Sequence, residues 1–392
     1  MLKLVKSTFY KERETRAALA RFVKSGTQLS YGPVCREFEQ DFAQWHGVKH
    51  AVMFSSGSTA NFGLIQGLMH LGHLKKGGAV GFSAVTWPTN ILPLIQLGLK
   101  PVPIDVSLKT LNISPQTLKE ILKKHKLKAL FLTHVLGLCD DMKEIVSICK
   151  NKKIILLEDT CEALGTVYKS KKLGSFGLGG TFSFFVGHHM STIEGGMVIT
   201  NDKDLARELK IIRSHGWDRH LEPEERKALR KKHNVSNFYA TYTFYNLGNN
   251  FRPTEISGFL GRYQLKYADT IIRKRKENFR KLAKAIYSRS DLYYPIDTTH
   301  INTVSNFAFP LVARNKKIQD IIIKRAKGKV EIRPIIAGNI TRQPFYKING
   351  GMDKKLDNAD IIHDNGLYFG NNPDLNNKDI KTLAEIFTNF TA

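Results

Sequence analysis

Closely spaced cysteines, long apolar runs and acidic residues are all scarce in this 392-residue sequence. The four cysteines lie far apart with no CxxC pair, which argues against a disulfide framework and against a structural zinc site. The longest apolar runs, such as residues 91–99, fall short of the roughly 18–20 residues that cross a membrane. The N-terminus turns polar at once and lacks a signal-peptide core. The sequence therefore predicts a soluble, cytoplasmic protein with free thiols and no membrane partner.

Basic residues dominate the charge, because 60 Lys and Arg against 35 Asp and Glu give a formal net charge of +25. Such a surplus can indicate nucleic-acid binding, but neither a zinc-finger spacing nor an RNP-like aromatic pattern is present. The densest basic cluster, residues 271–286, has apolar residues at helical spacing, which is typical of an amphipathic surface helix. We expect no nucleic-acid partner and a solvated basic surface that attracts anionic small molecules, such as nucleotide diphosphate sugars.

Short apolar runs alternate with helix-like stretches through the first 200 residues, which predicts an α/β domain with a mostly parallel sheet. Residues 218–250 are polar and aromatic-rich and are predicted to form a long loop, either functional or disordered. A helix is predicted from Thr254 to about Ile286, before a smaller α/β unit at 287–392. Strands are predicted at 50–54, 79–84, 100–106, 128–137, 153–159, 180–185 and 195–200, and helices at 8–24, 35–47, 114–126 and 141–152.

Ligands bind at the C-terminal ends of strands in such sheets, so the segments that follow strands are candidate sites. FSSGSTAN (54–61) offers amides and a helix dipole to a phosphate, although Gly-Ser turns are common. In LLEDTCEALG (156–165), Asp159 could hold a protonated ring nitrogen or could cap the following helix.

Two later segments are candidates as well. SFFVGHHMSTIEGG (183–196) contains two histidines, which could transfer protons near pH 7 or could simply be surface or satisfied buried side chains. No third ligand stands at a recognisable spacing, so no metal site is predicted. GNNFRP (248–253) is by itself only a turn-forming segment.

The order and spacing of these segments, with TWPTN (86–90) and RSHG (213–216), resemble the DegT/StrS family of fold-type I, pyridoxal-phosphate-dependent sugar aminotransferases. The resemblance covers nearly the whole chain. It implies a large cofactor-binding domain at 1–253, including an active-site loop at 218–250, and a linking helix with a small C-terminal domain at 254–392. It also implies a homodimer with shared active sites.

The resemblance further implies which residues bind pyridoxal 5′-phosphate (PLP) or its amine form, pyridoxamine 5′-phosphate (PMP). Asp159 would pair with the ring nitrogen, Trp87 would stack on the ring, and Asn250 would reach the phosphate of the neighbouring subunit. Glu162 stands where the family often has Gln, near the ring hydroxyl. The implied cofactor-binding residues are Gly57, Ser58, Trp87, Asp159, Glu162, Ser183 and Asn250, and the candidate substrate contacts are His215, Arg219 and Arg333.

Position 188 departs from the aminotransferase pattern. Aminotransferases of the family carry a Lys there that forms a Schiff base, whereas this chain has His188 and no Lys anywhere from 173 to 202. Histidine cannot form a stable Schiff base, so ordinary transamination is disfavoured, but it can act as a general base. Together with AGNITRQP (337–344) and IHDNGLYFGNNP (362–373), the HH…EGG segment resembles the sugar 3-dehydratase branch of the family.

That branch implies a PLP/PMP-dependent lyase that removes the 3-hydroxyl of a nucleotide-linked 4-keto-6-deoxyhexose, most directly GDP-4-keto-6-deoxy-D-mannose. L-Glutamate would be the amino donor, and the 4-keto-3,6-dideoxy sugar would serve dideoxysugar and lipopolysaccharide O-antigen biosynthesis. A nucleotide-sugar 4-aminotransferase is one alternative, and a cofactor-dependent binding or regulatory protein is another. A CDP-sugar 3-dehydrase with an iron–sulfur cluster is disfavoured because Cys139, Cys149 and Cys161 are not closely spaced.

Overall fold

A computed structural model describes residues 1–26, 28–351 and 354–391 of the chain. Most of its strands are short and buried, as expected where helices cover both faces of a sheet. None of the helices in these ranges is long and apolar enough to cross a membrane. The strands are β1 (His50–Phe54), β2 (Ala79–Ser83), β3 (Lys100–Ile104), β4 (Ala129–Thr133), β5 (Ile155–Asp159), β6 (Val167–Tyr168), β7 (Lys171–Lys172), β8 (Gly179–Ser183), β9 (Gly196–Thr200), β10 (Ile301–Thr303), β11 (Ala308–Val312), β12 (Ile332–Pro334) and β13 (Gly366–Gly370).

A seven-stranded sheet with the order β1-β9-β8-β5-β4-β2-β3 forms the centre of the molecule. The strand pairs from β8 to β3 are parallel, and β9 runs antiparallel to both of its neighbours. Parallel strands end at the same edge of the sheet, where ligands bind. Asp159, the last residue of β5, lies beside Thr181 of β8, so Ser183 projects just beyond it at that edge.

Helices cover this sheet, and several begin at a side chain that caps the first turn. Ser56 accepts a hydrogen bond from the Thr59 amide at the start of the third helix, in a capping box that anchors the helix at the end of β1. The helices are α1 (Glu12–Ser25), α2 (Pro33–His46), α3 (Gly57–His70), α4 (Leu92–Gln96), α5 (Pro115–Leu122), α6 (Met142–Asn151), α7 (Lys203–Ile212), α8 (Pro223–Lys232), α9 (Glu255–Leu265), α10 (Ala268–Ile286), α11 (Lys316–Ala326), α12 (Pro344–Ile348), α13 (Asp357–Asn365) and α14 (Asn377–Thr388).

A second, antiparallel sheet with the order β11-β13-β12 lies near the C-terminus and packs against α10 and α14. A third, small sheet joins β10, β6 and β7. The α/β architecture with a mostly parallel central sheet is therefore confirmed. The predicted domain boundary between residues 253 and 254 stays a prediction. The first helix after it, α9, packs on α2, because the Glu255 carboxylate accepts hydrogen bonds from the Val34 and Cys35 amides (3.0 and 2.9 Å).

Two helical segments differ from the sequence predictions, and the strand predicted at 128–137 ends earlier, at Thr133. The helix predicted from Thr254 to Ile286 is two helices, α9 and α10, which are separated at Lys266 and Tyr267. The predicted loop at 218–250 contains the ten-residue helix α8. This helix has no buried side chain, so the apolar periodicity that reveals most helices in a sequence is missing from it.

Candidate active site

Asp159 lies at the carboxyl end of β5 and is 5% exposed. Its Oδ2 accepts hydrogen bonds from the side-chain amides of Asn61 (3.0 Å) and Asn90 (2.8 Å), and its Oδ1 accepts one from the Cys161 amide (2.9 Å). None of the salt bridges found among the described residues involves this carboxylate. A buried anion held only by neutral donors is well suited to a cationic ligand.

Glu158 precedes this aspartate on the same strand and points to the opposite face, where it is completely buried. Its Oε1 accepts from the Phe176 and Gly177 amides (2.6 and 2.8 Å), and its Oε2 accepts from the Gly174 amide (2.8 Å) and bonds His134 Nε2 (2.9 Å). Burial opposes ionisation, but the His134 bond and these amides outweigh it and hold the pKa of Glu158 below its usual value. This side chain anchors the strand from behind and stays out of the site.

The N-terminus of α3 lies beside the end of β8. A Cβ atom on Gly57 would lie only 2.7 Å from Cβ of Ser183 and 3.2 Å from Sγ of Cys161, so a larger residue does not fit there. The first-turn amides of Gly57 and Ser58 have no intrahelical acceptors and point along the positive end of the helix dipole. The Ser58 side chain is exposed. The arrangement suits a phosphate group.

His188 lies in the turn after β8, half-buried between the rings of Phe185 (centroids 5.9 Å apart) and Phe307 (5.4 Å). Burial lowers the pKa of His188 to about 4, although the Asp159 carboxylate opposes this shift. Its imidazole is therefore unprotonated at neutral pH and can accept a proton. The adjacent His189 is 4% exposed, and burial lowers its pKa well below the usual value.

Glu162 is half-buried and accepts a hydrogen bond at Oε2 from the Leu136 amide (2.7 Å). Burial raises the pKa of Glu162 to about 8, and the nearby Asp159 carboxylate adds to the shift. Leu136 adopts a left-handed conformation (φ +50°), which is costly for a branched side chain. Because its pKa is raised to about 8, Glu162 is mostly neutral near pH 7 and adds no second negative charge beside Asp159.

Trp87 and Asn250 lie at the surface of the single chain. Trp87 is 56% exposed in the segment after β2, and its carbonyl accepts from the amide of Asn90, one of the two partners of Asp159. Asn250 is exposed, and its Oδ1 accepts a hydrogen bond from Arg252 Nε (2.9 Å). Trp87 is thus adjacent to the Asp159 cluster, whereas Asn250 faces away from the protein's own interior.

The three candidate substrate residues lie on two separate segments. Arg219 stacks on the Trp217 ring (3.9 Å to the centroid) and donates from Nη2 to the Thr241 carbonyl (2.9 Å). His215 has a left-handed backbone (φ +58°) and also contacts Trp217. Arg333 is exposed on β12 and pairs with Glu331, whose Oε1 lies 2.6 Å from its Nη2. No hydrogen bond or ring contact among the described residues joins these three to His188.

A family model described as the DegT/DnrJ/EryC1/StrS aminotransferase family matches residues 10–388. The chain belongs to this family. It is 35% identical to the GDP-4-keto-6-deoxy-D-mannose 3-dehydratase of Yersinia pseudotuberculosis over 391 residues, which cover 97% of this chain and 96% of that protein. It also superposes on the E coli GDP-4-keto-6-deoxy-D-mannose-3-dehydratase with bound hydrated PLP (TM-score 0.89, 31% identity, 99% of both chains). A structure of GDP-4-keto-6-deoxymannose-3-dehydratase with a trapped PLP-glutamate geminal diamine matches equally well (TM-score 0.89, 31% identity, 99% of this chain and 100% of that one).

The family resemblance and the aminotransferase fold are therefore confirmed. The structure gathers five of the expected site residues at the ends of β5 and β8, while the assigned roles of these residues stay predictions. The gathered residues are Gly57, Asp159, Glu162, Ser183 and His188.

Asn61 and Asn90 are the functional candidates that sequence reasoning missed. Both lie inside family segments, FSSGSTAN (54–61) and TWPTN (86–90), but no role was assigned to either. Their shared acceptor, Asp159, lies at least 69 residues away along the chain. A polar residue in each segment was the available signal, but the partner is set by the order of the strands and not by local sequence.

Proposed function

We propose that this protein is a PLP/PMP-dependent nucleotide-sugar 3-dehydratase that removes the 3-hydroxyl of a 4-keto-6-deoxyhexose. GDP-4-keto-6-deoxy-D-mannose is the proposed substrate and L-glutamate the proposed amino donor. The observation that carries the proposal is the unprotonated imidazole of His188, beside Asp159, where family aminotransferases have Lys. Relatives that align over nearly the whole chain carry the name of this activity and support it.

The described residues fit PLP and PMP. No described residue forms a salt bridge with the buried Asp159, and the close contact of Gly57 with Ser183 brings the first-turn amides of α3 beside the end of β8. When bound, the cofactor supplies an amine that reacts with the sugar ketone and a ring that withdraws electrons from the carbon bearing it. Asp159 would hold the ring nitrogen, Trp87 the ring face, and Ser58 with Ser183 the phosphate.

The residues of this chain then have separate tasks. A ring nitrogen of His188 would accept a proton from the carbon that bears the amine and would deliver it to the departing 3-hydroxyl oxygen of the sugar, which leaves as water. Asp159 would hold the protonated ring nitrogen, which withdraws the electrons, through a charge-assisted hydrogen bond. Glu162 stays neutral and would orient the cofactor ring by hydrogen bonding near the ring hydroxyl. Because residues 173–202 contain no Lys, the chain offers no amine there that could hold the cofactor covalently.

We also propose a homodimer with shared active sites, in which Asn250 contacts the phosphate bound mainly by the other subunit. Large apolar side chains between residues 238 and 247 are exposed on the single chain, which is unusual for a monomer. Asn250 lies three residues after the end of this segment. Its exposed apolar members are Phe238 (82%), Tyr239 (71%), Tyr242 (71%), Phe244 (54%) and Leu247 (75%). A cytoplasmic location is part of the same proposal.

Subunit mixing tests the sharing. His188→Asn and Asn250→Ala should each be inactive alone, but mixed and refolded chains should recover up to about a quarter of the wild-type activity, because a hybrid dimer has one site with both residues intact. Mixing two batches of the same variant is the control. Absence of any recovery from chains that do form hybrid dimers would contradict shared sites.

Mass spectrometry of the sugar product tests the function itself. Protein, PLP, L-glutamate and GDP-4-keto-6-deoxy-D-mannose should give a sugar that lacks one oxygen, together with ammonia and 2-oxoglutarate in equal amounts. His188→Asn should give none. An amino sugar that keeps its 3-hydroxyl would contradict the proposal and indicate the 4-aminotransferase alternative. Turnover restricted to a CDP-linked sugar in a parallel reaction would indicate the CDP-sugar enzyme.

A further inference from the structure

Arg275 on α10 is a buried cation close to the His188 turn and is 6% exposed. Its Nη1 donates to the main-chain carbonyls of Asn371 (2.6 Å), Phe307 (3.2 Å) and Asn306 (3.4 Å). It forms no salt bridge with any described residue, and its Nε is buried without a hydrogen-bond partner among them. Burial lowers the pKa of Arg275 to about 9, so the guanidinium is still charged at neutral pH, and its position near an imidazole has electrostatic consequences.

The three carbonyls connect Arg275 to the side chain that packs on His188. The ring of Phe307 lies against the His188 imidazole, with centroids 5.4 Å apart. Asn371 returns a hydrogen bond to the Arg275 carbonyl (2.9 Å) and another to Asn306 Oδ1 (2.8 Å). The segment that carries Phe307 is therefore fixed from both sides, and α10 determines where that ring stands.

Charged and titratable groups reach His188 from each element around it. Asp159 approaches from β5 and favours the protonated imidazole, whereas Arg275 approaches from α10 and disfavours it. Arg275 also lowers the pKa of the neighbouring His189. His188 and Arg275 line one cavity, which Lys6 and Tyr10 from the N-terminal segment and Asp374 also line. Asp374 pairs with Lys274 of α10 (3.8 Å). Lys6 works in the same sense as Arg275, whereas Asp374 is partly neutralised by its own partner.

We propose that Arg275 is a positioning residue for His188: it fixes Phe307 against the imidazole and places a buried positive charge in the cavity that the imidazole lines. The inference rests on the proposed function for the role of His188 as a base. It gives a reason for burying a guanidinium that forms no salt bridge with any described residue. Arg275 itself need not touch substrate or cofactor.

The direct test is an NMR pH titration of ¹⁵N-histidine-labelled protein loaded with PLP, with His188→Gln used to assign the His188 signal. Arg275→Met removes the charge and the carbonyl bonds. Arg275→Lys keeps the charge, but its Nζ ends near the position of the arginine Nε and falls short of the carbonyls that Nη1 reaches. Arg280→Met removes an equal charge from an exposed position on the same helix and is the matched control. Circular dichroism verifies folding, and Arg275→Gln, which keeps amide donors, replaces Arg275→Met if that variant does not fold.

We expect the His188 titration midpoint to rise by about one pH unit in Arg275→Met, because a nearby like charge is removed. Arg275→Lys should stay near the wild-type midpoint yet turn over sugar at least about tenfold more slowly, because Phe307 is no longer fixed. Arg280→Met should change neither. A midpoint in Arg275→Met (or Arg275→Gln) equal to wild type would overturn the electrostatic part, and full activity in Arg275→Lys would overturn the positioning part. The titration needs no sugar, so it separates failure of this inference from failure of the proposed 3-dehydratase activity.

Discussion

Glu158 offers the sharpest test of how the sheet holds the site, because its carboxylate is fully buried and every hydrogen bond to it is defined. Glu158→Gln keeps the shape and replaces one acceptor oxygen by an NH2 group. One oxygen accepts from two amides, and the other faces one amide and His134. At either position the new NH2 therefore faces at least one backbone N–H donor.

The magnitude follows from those bonds. Two hydrogen bonds to a charged group are lost, each worth about 1.5–3 kcal/mol. If the NH2 is placed towards His134, one bond is recoverable, because the imidazole can present an unprotonated Nε2 to it. We therefore expect the free energy of unfolding to fall by about 2–4 kcal/mol, and cofactor affinity to fall with it, since Asp159 is the next residue on the strand.

Urea unfolding at pH 7.5 with a reducing agent measures the change. The matched control is Glu385→Gln, which loses only an exposed contact with Lys381 and should shift the free energy by less than about 0.5 kcal/mol. Because the pKa of Glu158 is lowered on folding, its contribution is present above the unfolded-state pKa and is lost as the pH falls through the folded-state value. The gap between wild type and variant should therefore narrow in acid. A loss under about 1 kcal/mol at pH 7.5, or a gap that does not narrow, would refute this reasoning.

Three further predictions address the site and its surroundings. Gly57→Ala should weaken PLP binding at least about tenfold, or about 1.4 kcal/mol, because its Cβ would lie 2.7 Å from Cβ of Ser183; fluorescence titration measures this, and unchanged affinity would argue against a phosphate at α3. His188→Asn should abolish sugar turnover while PLP affinity stays within about threefold of wild type, so joint loss of both in equilibrium binding would point to a structural role. Burial lowers the pKa of His46 to about 4, so the unfolded chain takes up its proton first as the pH falls. This one group should cost up to about 3 kcal/mol of stability between pH 6.5 and 4, and a His46→Gln variant with the same acid dependence would contradict that.

Strand positions could be predicted from the sequence where burial was continuous, but the predictions failed where the chain bends at the site. The strand predicted at 128–137 stops at Thr133, because the next residues turn to bring the Leu136 amide onto Glu162. The helix α8 was missed because it buries none of its side chains. Local pattern reports burial, which α8 lacks, and it does not report the contact of Leu136 with Glu162, 26 residues further along the chain.

The candidate site shows the same division. From the adjacent acids Glu158 and Asp159, the sequence predicts only that one of the two side chains enters the site. The structure shows that it is Asp159, while Glu158 points to the opposite face of the sheet. Its amide partners, such as Asn90, could not be read from the sequence, because strand order brings them together. The neutral state of Glu162 was equally hidden, since it depends on burial and on the nearby aspartate.

The two acids that end β5 also limit how this chain can change over evolutionary time. Successive side chains on a strand face opposite sides of the sheet, so a one-residue insertion or deletion within β5 would exchange the two carboxylates. The glutamate would then enter the site, and the aspartate, one methylene shorter, would face the 174–177 loop and His134. Length changes among descendants of this gene should therefore avoid residues 155–159 altogether and accumulate in connections such as 218–250.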